Sequence, residues 1–191
     1  LLTISTERIG WVLSCSFQAI PKGSANGVSL ACSSAWVNWS QAARQAGHPA
    51  RAEHCARQAL ALAPHSPEAH LNLGNALADQ HHWDDAERQY QTATLCAPPG
   101  WIEPALNLGN LFDRQSRFAD AAACLDTLSH KPAADWRVFS ALGRARSMPG
   151  DTAAARDAYA RALALNPRAA AAYSGYLYHL MHDPGASAET I

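Results

Sequence analysis

Side-chain amides recur at a regular interval along this chain of 191 residues. The pentapeptide LNLGN occupies residues 71–75 and returns at residues 106–110, which is 35 residues later. A carboxamide carries both donors and an acceptor, so a row of asparagines can pair with the N–H and C=O groups of an extended backbone without contacting its side chains. This spacing therefore favours peptide recognition. The alternative is that these residues are ordinary solvated or inter-helix asparagines.

Histidines form two small groups, and neither predicts a metal centre. His81 and His82 are adjacent at a predicted turn, where neighbouring side chains diverge. His179 and His182 are three residues apart on a predicted helix, but no third ligand accompanies them. The chain also lacks the glycine-rich phosphate loops and the nucleophile motif of hydrolases. We therefore predict that it has no catalytic residue, no bound metal and no cofactor.

Charge and hydropathy exclude two classes of partner. The formal net charge is -1 and only two lysines are present, so no basic stripe is available for nucleic acid. No run of 18 apolar residues predicts a membrane span. Residues 9–20 (IGWVLSCSFQAI) are the most apolar stretch, but Glu7 and Arg8 precede it where a signal peptide would carry a basic start. We expect a cytoplasmic protein.

The cysteines are odd in number and widely spaced, which argues against a disulfide framework. We expect free thiols that behave as small apolar residues; the five are Cys15, Cys32, Cys55, Cys96 and Cys124. The chain starts with Leu1 and stops at Ile191 inside a predicted helix, so we expect a fragment of a longer protein.

Three columns of residues keep the same period and predict a repeated helical hairpin. One column holds glycine, one holds alanine and one holds a large or aromatic residue; they are Gly74, Gly109 and Gly143, then Ala52, Ala86, Ala121 and Ala155, then Tyr90, Leu125 and Tyr159, with Ala56 in the large slot of the first unit. Small residues let two helices approach, and large residues fill the space between them. One hairpin cannot bury its apolar face alone, so successive hairpins must stack.

These columns resemble the tetratricopeptide repeat (TPR), a helix–turn–helix unit of about 34 residues. The resemblance implies an all-α fold, a right-handed superhelix (α–α solenoid) built from antiparallel helix pairs. Three positions depart from the family pattern: Ser40 stands where glycine is expected, Leu128 replaces a late alanine, and Pro132 falls one place early. Late prolines at 64, 98 and 167 fit the pattern.

The repeat predicts four units at residues 33–66, 67–100, 102–135 and 136–169. Residues 170–191 form either a truncated fifth unit or a linker to a missing C-terminal domain. Residues 1–32 do not fit the repeat, and we expect a poorly ordered segment or a degenerate cap, with loop at residues 24–34. The predicted helices span residues 34–46, 50–63, 67–80, 83–96, 102–115, 118–129, 134–148, 152–165 and 169–182, and Asp151 is expected to cap one of them.

In this family the first helix of each unit lines a concave groove, and the resemblance places the asparagines there. The candidate peptide-binding residues are Asn38, Gln41, Asn72, Asn75, Asn107, Asn110, Arg137 and Arg144. The middle of the groove is mostly acidic, and we expect a ligand with cationic groups toward the N-terminal end of the groove and anionic groups toward the arginines of unit four. The carboxylate clamp that some TPR proteins use is not predicted, because neither possible register has the required cations. Its cationic positions hold Val37, Glu103 and Asn107 in one register and Leu71, Arg137 and Ala141 in the other.

The tail, residues 173–191, is similar to the passage that follows the repeats in bacterial proteins of the O-GlcNAc transferase/SPINDLY-like family. Residues 182–184 (HDP) and 187–189 (SAE) carry that similarity. It implies a substrate-recruiting, non-catalytic region of a glycosyltransferase-like bacterial protein. Two alternatives stay open: a stand-alone adaptor, and repeats fused to a methyltransferase or sulfotransferase. Weak self-association through an uncapped last helix is also expected.

Overall fold

The computed structural model describes residues 26–148 and 150–182. Within that part of the chain all regular structure is helical, which confirms the all-α prediction. The helices are α1 (Asn26–Gln45), α2 (Pro49–Leu62), α3 (Pro67–Asp79), α4 (Trp83–Cys96), α5 (Glu103–Arg114), α6 (Phe118–Ser129), α7 (Trp136–Ser147), α8 (Thr152–Leu165) and α9 (Ala170–Met181). Among the described residues, no helix is both long and apolar enough to cross a membrane.

The helices pack in order along the chain, each against the next, as a stack of hairpins requires. The pairs are α1–α2, α3–α4, α5–α6 and α7–α8, and α9 packs on α8. Helix starts follow local chemistry: Pro49 and Pro67 occupy first-turn positions, and Asp151 accepts a hydrogen bond from the Ala154 N–H at 3.1 Å, as predicted. The exact limits of the four units stay a prediction.

The glycine of LNLGN is explained by the aromatic or leucine slot of the same hairpin. A Cβ atom added at Gly74 would lie 2.7 Å from the Tyr90 ring, and one added at Gly109 would lie 2.7 Å from Leu125. Gly143 faces Tyr159 in the same way. Such distances leave no room for a methyl group, so the glycine permits close helix contact. The alanine column is fully buried in all four pairs, at 0% exposure.

The first pair departs from this pattern in both slots at once. Ser40 replaces the glycine, and the facing slot holds the small Ala56, which is also buried. The added hydroxyl is accommodated because Ser40 Oγ donates to the Ala52 carbonyl at 2.8 Å. The irregularity that the sequence showed at Ser40 is therefore a compensated exchange of volume.

Every hairpin turns through one residue in the left-handed region of backbone space. The four equivalent turn residues are Gly47 (φ 78°), His81 (φ 63°), Ser116 (φ 59°) and Gly150 (φ 88°). In the first three turns, the residue after the left-handed one donates its N–H to the carbonyl of the residue five positions before itself, at 2.9 to 3.0 Å. This bond is the Schellman closure of a helix end. The turn geometry is thus shared while the residue type is not.

The loop predicted at residues 24–34 is wrong for the residues that the structure describes. Helix α1 begins at Asn26, whereas loop was expected at residues 24–34. Polar residues misled the interpretation: Ser33 is 4% exposed, and its hydroxyl donates to the Ala59 carbonyl of α2 at 3.2 Å. A serine that bonds a neighbouring helix is compatible with a buried helical face. Residues 1–25 lie outside the described part of the chain.

Candidate functional site: an amide-lined groove

The first helices of the pairs line one shared surface. Helix α1 contacts α3, α5 contacts α7, and α7 contacts α9, although each couple is separated in sequence by a complete helix. A curved stack brings its inner helices closer together than its outer ones, so α1, α3, α5 and α7 form the concave side. We call this surface the groove.

Asn72 joins two adjacent first helices. Its Nδ2 donates to the Val37 carbonyl of α1 at 3.0 Å. A backbone carbonyl can only accept, so this contact fixes the orientation of the amide. The Oδ1 of Asn72 has no partner among the described residues and stays available as an acceptor. The residue is half-buried, which places one end of the amide in the stack and the other at the groove.

Asn75 is the centre of a second amide contact. Its Oδ1 accepts from the Tyr90 hydroxyl at 2.9 Å and from Asn107 Nδ2 at 2.9 Å. The bond to Asn107 joins α3 to α5, and Tyr90 supports it from α4. This network leaves the Nδ2 of Asn75 and the Oδ1 of Asn107 without partners in the described structure. LNLGN therefore supplies packing leucines and glycine together with amides that link consecutive repeats.

Asn110 and the two predicted arginines take part in bonds between the third and fourth pairs. Arg144 donates to Asn110 Oδ1 at 2.8 Å and to Asp113 at 2.7 Å. Arg137 donates to Glu103 at 3.0 Å. These bonds pair both cations with carboxylates, and the expectation that the arginines of unit four attract an anionic ligand group stays a prediction.

Asn38 and Gln41 differ from the other candidates. Both are exposed on α1, and neither has a hydrogen-bonding partner among the described residues. Asn38 lines a pocket of about 590 Å³ between α1 and the α2–α3 connection. Their full amide capacity is therefore open to a ligand.

A smaller pocket of about 190 Å³ lies in the middle of the groove. It is polar and collects residues from α1, α3, α4 and α5; they are Arg44, Asn75, Ala78, Asp79, Tyr90, Asn107, Asn110, Leu111 and Arg114. Arg44 donates to Asp79 at 3.2 Å. The guanidinium of Arg114 lies 4.8 Å from the centroid of the Trp83 ring and has no carboxylate partner in the described residues. We call this space the central pocket.

The floor of the central pocket is the buried hydroxyl of Tyr90. Burial raises the pKa of Tyr90, while the nearby charges of Arg44 and Arg114 lower it and that of Asp79 raises it. All three charges therefore act at one hydroxyl. Of the pocket's residues, the sequence analysis placed Asn75, Asn107 and Asn110 in the groove but did not bring Arg44 and Tyr90 to them. The sequence did contain a signal for Arg44, because it is a basic residue in the last turn of the first helix, at the same end of the groove helices as Arg114.

The two histidine groups hold other contacts. The ring of His81 packs edge-on against Trp83 at 5.0 Å. His179 Nε2 lies 2.6 Å from Ser147 Oγ, whereas His182 Nδ1 lies 2.8 Å from the Tyr178 carbonyl. Within residues 26–148 and 150–182 no group of three potential metal ligands converges. The cysteines in that part of the chain, Cys32, Cys55, Cys96 and Cys124, are free.

Comparison with known families adds a direct match. Residues 43–101 fit the model of the tetratricopeptide repeat. The chain contains tetratricopeptide repeats. The matched segment covers the second half of the first hairpin and the whole of the second, and in the second hairpin the predicted columns of small and large residues are complete. The tetratricopeptide prediction is thereby confirmed, whereas the relation to O-GlcNAc transferase-like proteins stays a proposal.

Solved structures show the same fold. PilF of Pseudomonas aeruginosa matches with 22% identity and a TM-score of 0.73, covering 78% of this chain and 68% of that one. MamA of Desulfovibrio magneticus RS-1 matches with 18% identity and a TM-score of 0.66, covering 78% and 84%. YrrB, described as a TPR protein with an unusual peptide-binding site, has 16% identity, a TM-score of 0.59, and coverage of 77% and 75%. No curated protein matches the chain in sequence.

Proposed function

We propose that this chain is a protein-interaction scaffold that binds an extended peptide segment along the groove. The observation that carries the proposal is a row of side-chain amides on successive first helices, each of which keeps at least one hydrogen-bonding group without a partner in the described structure. Asn72 keeps an acceptor, Asn110 keeps a donor, and Asn38 and Gln41 keep both. Alternating donors and acceptors are what an extended backbone requires of its binding surface.

The groove also has the length that an extended segment needs. It begins at the pocket beside Asn38 on α1 and continues to the central pocket beside Asn110 on α5. Three first helices at a usual spacing of about 8–10 Å accommodate roughly six extended residues. The peptide-binding site of YrrB gives a precedent for this role on the same fold.

The finer proposal is that these repeats recruit substrates for an O-GlcNAc transferase-like bacterial protein. Its support is the resemblance of the tail to the passage that follows the repeats in that family. The alternative is a stand-alone adaptor, and the two differ in whether a sugar-transferring domain follows the repeats. Placement in the cytoplasm, where thiols stay reduced, belongs to the same proposal.

Self-association is a subsidiary proposal, and it rests on α9. Tyr173 is 54% exposed and Met181 is 71% exposed on this last helix. A second copy that covered these side chains would bury their apolar surface.

The groove can be tested with a random peptide library displayed against the chain, followed by calorimetry on the selected peptides. Asn38→Ala and Gln41→Ala are the informative variants, because neither side chain supports the fold. We expect the double variant to bind roughly thirtyfold more weakly, since each of the two lost hydrogen bonds contributes about 1 kcal/mol.

Arg88→Glu is the matched control. Arg88 is 69% exposed on α4, outside the groove, and pairs only with Asp85 in the described structure. Binding should survive this change. If Arg88→Glu abolishes binding while the double variant binds as the parent does, the partner uses the outer surface and the proposal fails.

A further inference from the structure

The central pocket has more unsatisfied donors than acceptors. Arg144 can only donate, so it consumes the oxygen of Asn110 and leaves that residue's Nδ2 open. Asn75 Oδ1 already accepts two bonds, from Tyr90 and Asn107, which leaves Asn75 Nδ2 open. Both of these groups are N–H donors, and the Oδ1 of Asn107 is the one amide oxygen of the pocket that accepts no bond in the described structure. An acceptor-rich ligand group fits the two donors.

Charge adds to this preference. The pocket contains Arg44, Arg114 and Asp79. Arg44 and Asp79 are paired at 3.2 Å, so their charges offset each other. Arg114 has no such partner in the described residues; it is held over the Trp83 ring, with 4.8 Å from the guanidinium carbon to the ring centroid. Stacking on an aromatic face fixes a guanidinium in place and leaves its N–H edge open to a carboxylate.

We propose that the central pocket binds a side-chain carboxylate of the peptide, with Arg114 as its ionic partner and Asn75 and Asn110 as its amide donors. This inference rests on the proposed function and specifies a ligand class within it. The pocket volume of about 190 Å³ accommodates a group of that size. Asn110 and Arg114 are four residues apart on α5 and so lie on one face, which allows both to contact the same carboxylate.

The proposed site differs from the carboxylate clamp that the sequence excludes. The clamp takes its cations from the first half of the inner helices, where this chain has a single cation at the matching positions, Arg137. Arg114 is instead the last residue of α5. The inferred preference also differs from the charge order expected from sequence, because it places the anion in the middle of the groove and not at unit four.

The test uses glutamate with acetyl and methylamide caps as the probe, and the equally capped glutamine as its neutral match. Asparagine side-chain and arginine Nε resonances are followed by nuclear magnetic resonance during titration of the isotope-labelled chain. We expect saturable shifts at Asn75, Asn110 and Arg114 with capped glutamate alone. Arg114→Gln should weaken that binding roughly tenfold or more, since a charge-assisted hydrogen bond is lost. Arg88→Gln, on the outer surface, should leave it unchanged.

Two outcomes overturn the inference: equal shifts with capped glutamine, or full binding by Arg114→Gln. A melting curve of Arg114→Gln that matches the parent shows that loss of binding is not loss of folding. Failure of this inference is distinguishable from failure of the proposed function. If library-selected peptides bind through Asn38 and Gln41 but Arg114→Gln does not weaken them, the groove function stands without the carboxylate site.

Discussion

Asn72 shows how one side chain divides its hydrogen bonds between fold and surface. Its Nδ2 holds the Val37 carbonyl of the preceding pair, and its Oδ1 stays open at the groove. The spacing of the asparagines made the groove location predictable from sequence. The inter-helix bonds were not predictable, because sequence alone does not show which amide atom meets which neighbour. The inter-helix interpretation therefore holds for the Nδ2 of Asn72, while peptide recognition through its Oδ1 stays a proposal.

Asn72→Ala should destabilise the fold, whereas Asn38→Ala should not. Removing Asn72 removes the side-chain bond to the Val37 carbonyl and should lower the free energy of unfolding by about 1 kcal/mol. Asn38 has no partner among the described residues, so its removal should change that energy by less than about 0.5 kcal/mol. Urea denaturation of the two variants measures the difference. Equal stability losses would contradict the assigned contacts.

His179 should make stability depend on pH. It is 3% exposed, and burial, assisted by His182, lowers its pKa. Ser147 Oγ donates to the Gly143 carbonyl at 2.8 Å, so Nε2 of His179 must donate to Ser147, which leaves Nδ1 buried without a partner. A second proton on Nδ1 would have no acceptor.

The sign follows from the lowered pKa. The unfolded chain takes up the proton first, near pH 6.5, so stability is complete above that value and falls as the pH drops toward the lower pKa of the folded state. Urea denaturation between pH 8 and pH 5 should show this loss, and His179→Gln should reduce its slope. If the variant and the parent have the same pH profile, His179 does not contribute.

At the scale of the elements, the hairpin and its helix boundaries follow closely from sequence. The helices from α2 to α9 start and end within about two residues of the predicted limits, because prolines and glycines punctuate the chain. Helix α1 was missed at its start because its polar residues bond backbone groups of α2. The sequence also did not predict that the larger Ser40 is balanced by the smaller Ala56. This exchange of side-chain volume becomes visible only when the two helices are packed against each other.

His81→Gly and Ser116→Gly should each stabilise the chain. Both residues hold a positive φ, which costs a residue with a Cβ atom about 1 kcal/mol and costs glycine little. Glycine gives the unfolded chain more conformational entropy, which is lost on folding and offsets part of this gain. We therefore expect a rise in the free energy of unfolding of roughly 0.5 kcal/mol each.

Gly47→Ala is the converse control. A Cβ atom at Gly47 would meet nothing within 4 Å, so any loss of stability would come from the backbone alone. A loss near 1 kcal/mol in this variant would support the same explanation. Stabilisation by Gly47→Ala, or destabilisation by both glycine substitutions, would refute it.

At the scale of the whole molecule, five ion pairs between helix pairs in residues 26–148 join immediate neighbours. They are Arg44–Asp79, Arg117–Glu87, Arg137–Glu103, Arg144–Asp113 and Arg146–Asp126. The sequence predicted the charges but not the pairing, because each partner lies in a different repeat. A solenoid's stability is the sum of its units and the interfaces between neighbours, so these bonds act on the second quantity.

The double variant Arg137→Gln/Arg144→Gln should weaken one interface selectively. Each exposed pair contributes about 0.2–1 kcal/mol, so the free energy of unfolding should fall modestly at low salt. Above about 1 M NaCl the variant and the parent should converge, because charges are then screened beyond about 3 Å. Thermal melts at several salt concentrations provide the measurement. A difference that persists at high salt would mean that the arginines act through packing.

Because charged contacts between neighbouring pairs recur along the stack, the stack should bend elastically at the interfaces between pairs. The stiffness of each interface depends partly on ion pairs that salt can screen, whereas the buried alanine and glycine contacts within a hairpin do not respond to salt. Raising ionic strength should therefore make the interfaces between hairpins more flexible and leave the hairpins themselves unchanged. A peptide that spans α1, α3 and α5 would stiffen the interfaces that it crosses, so occupancy of the groove would change the elasticity of the stack.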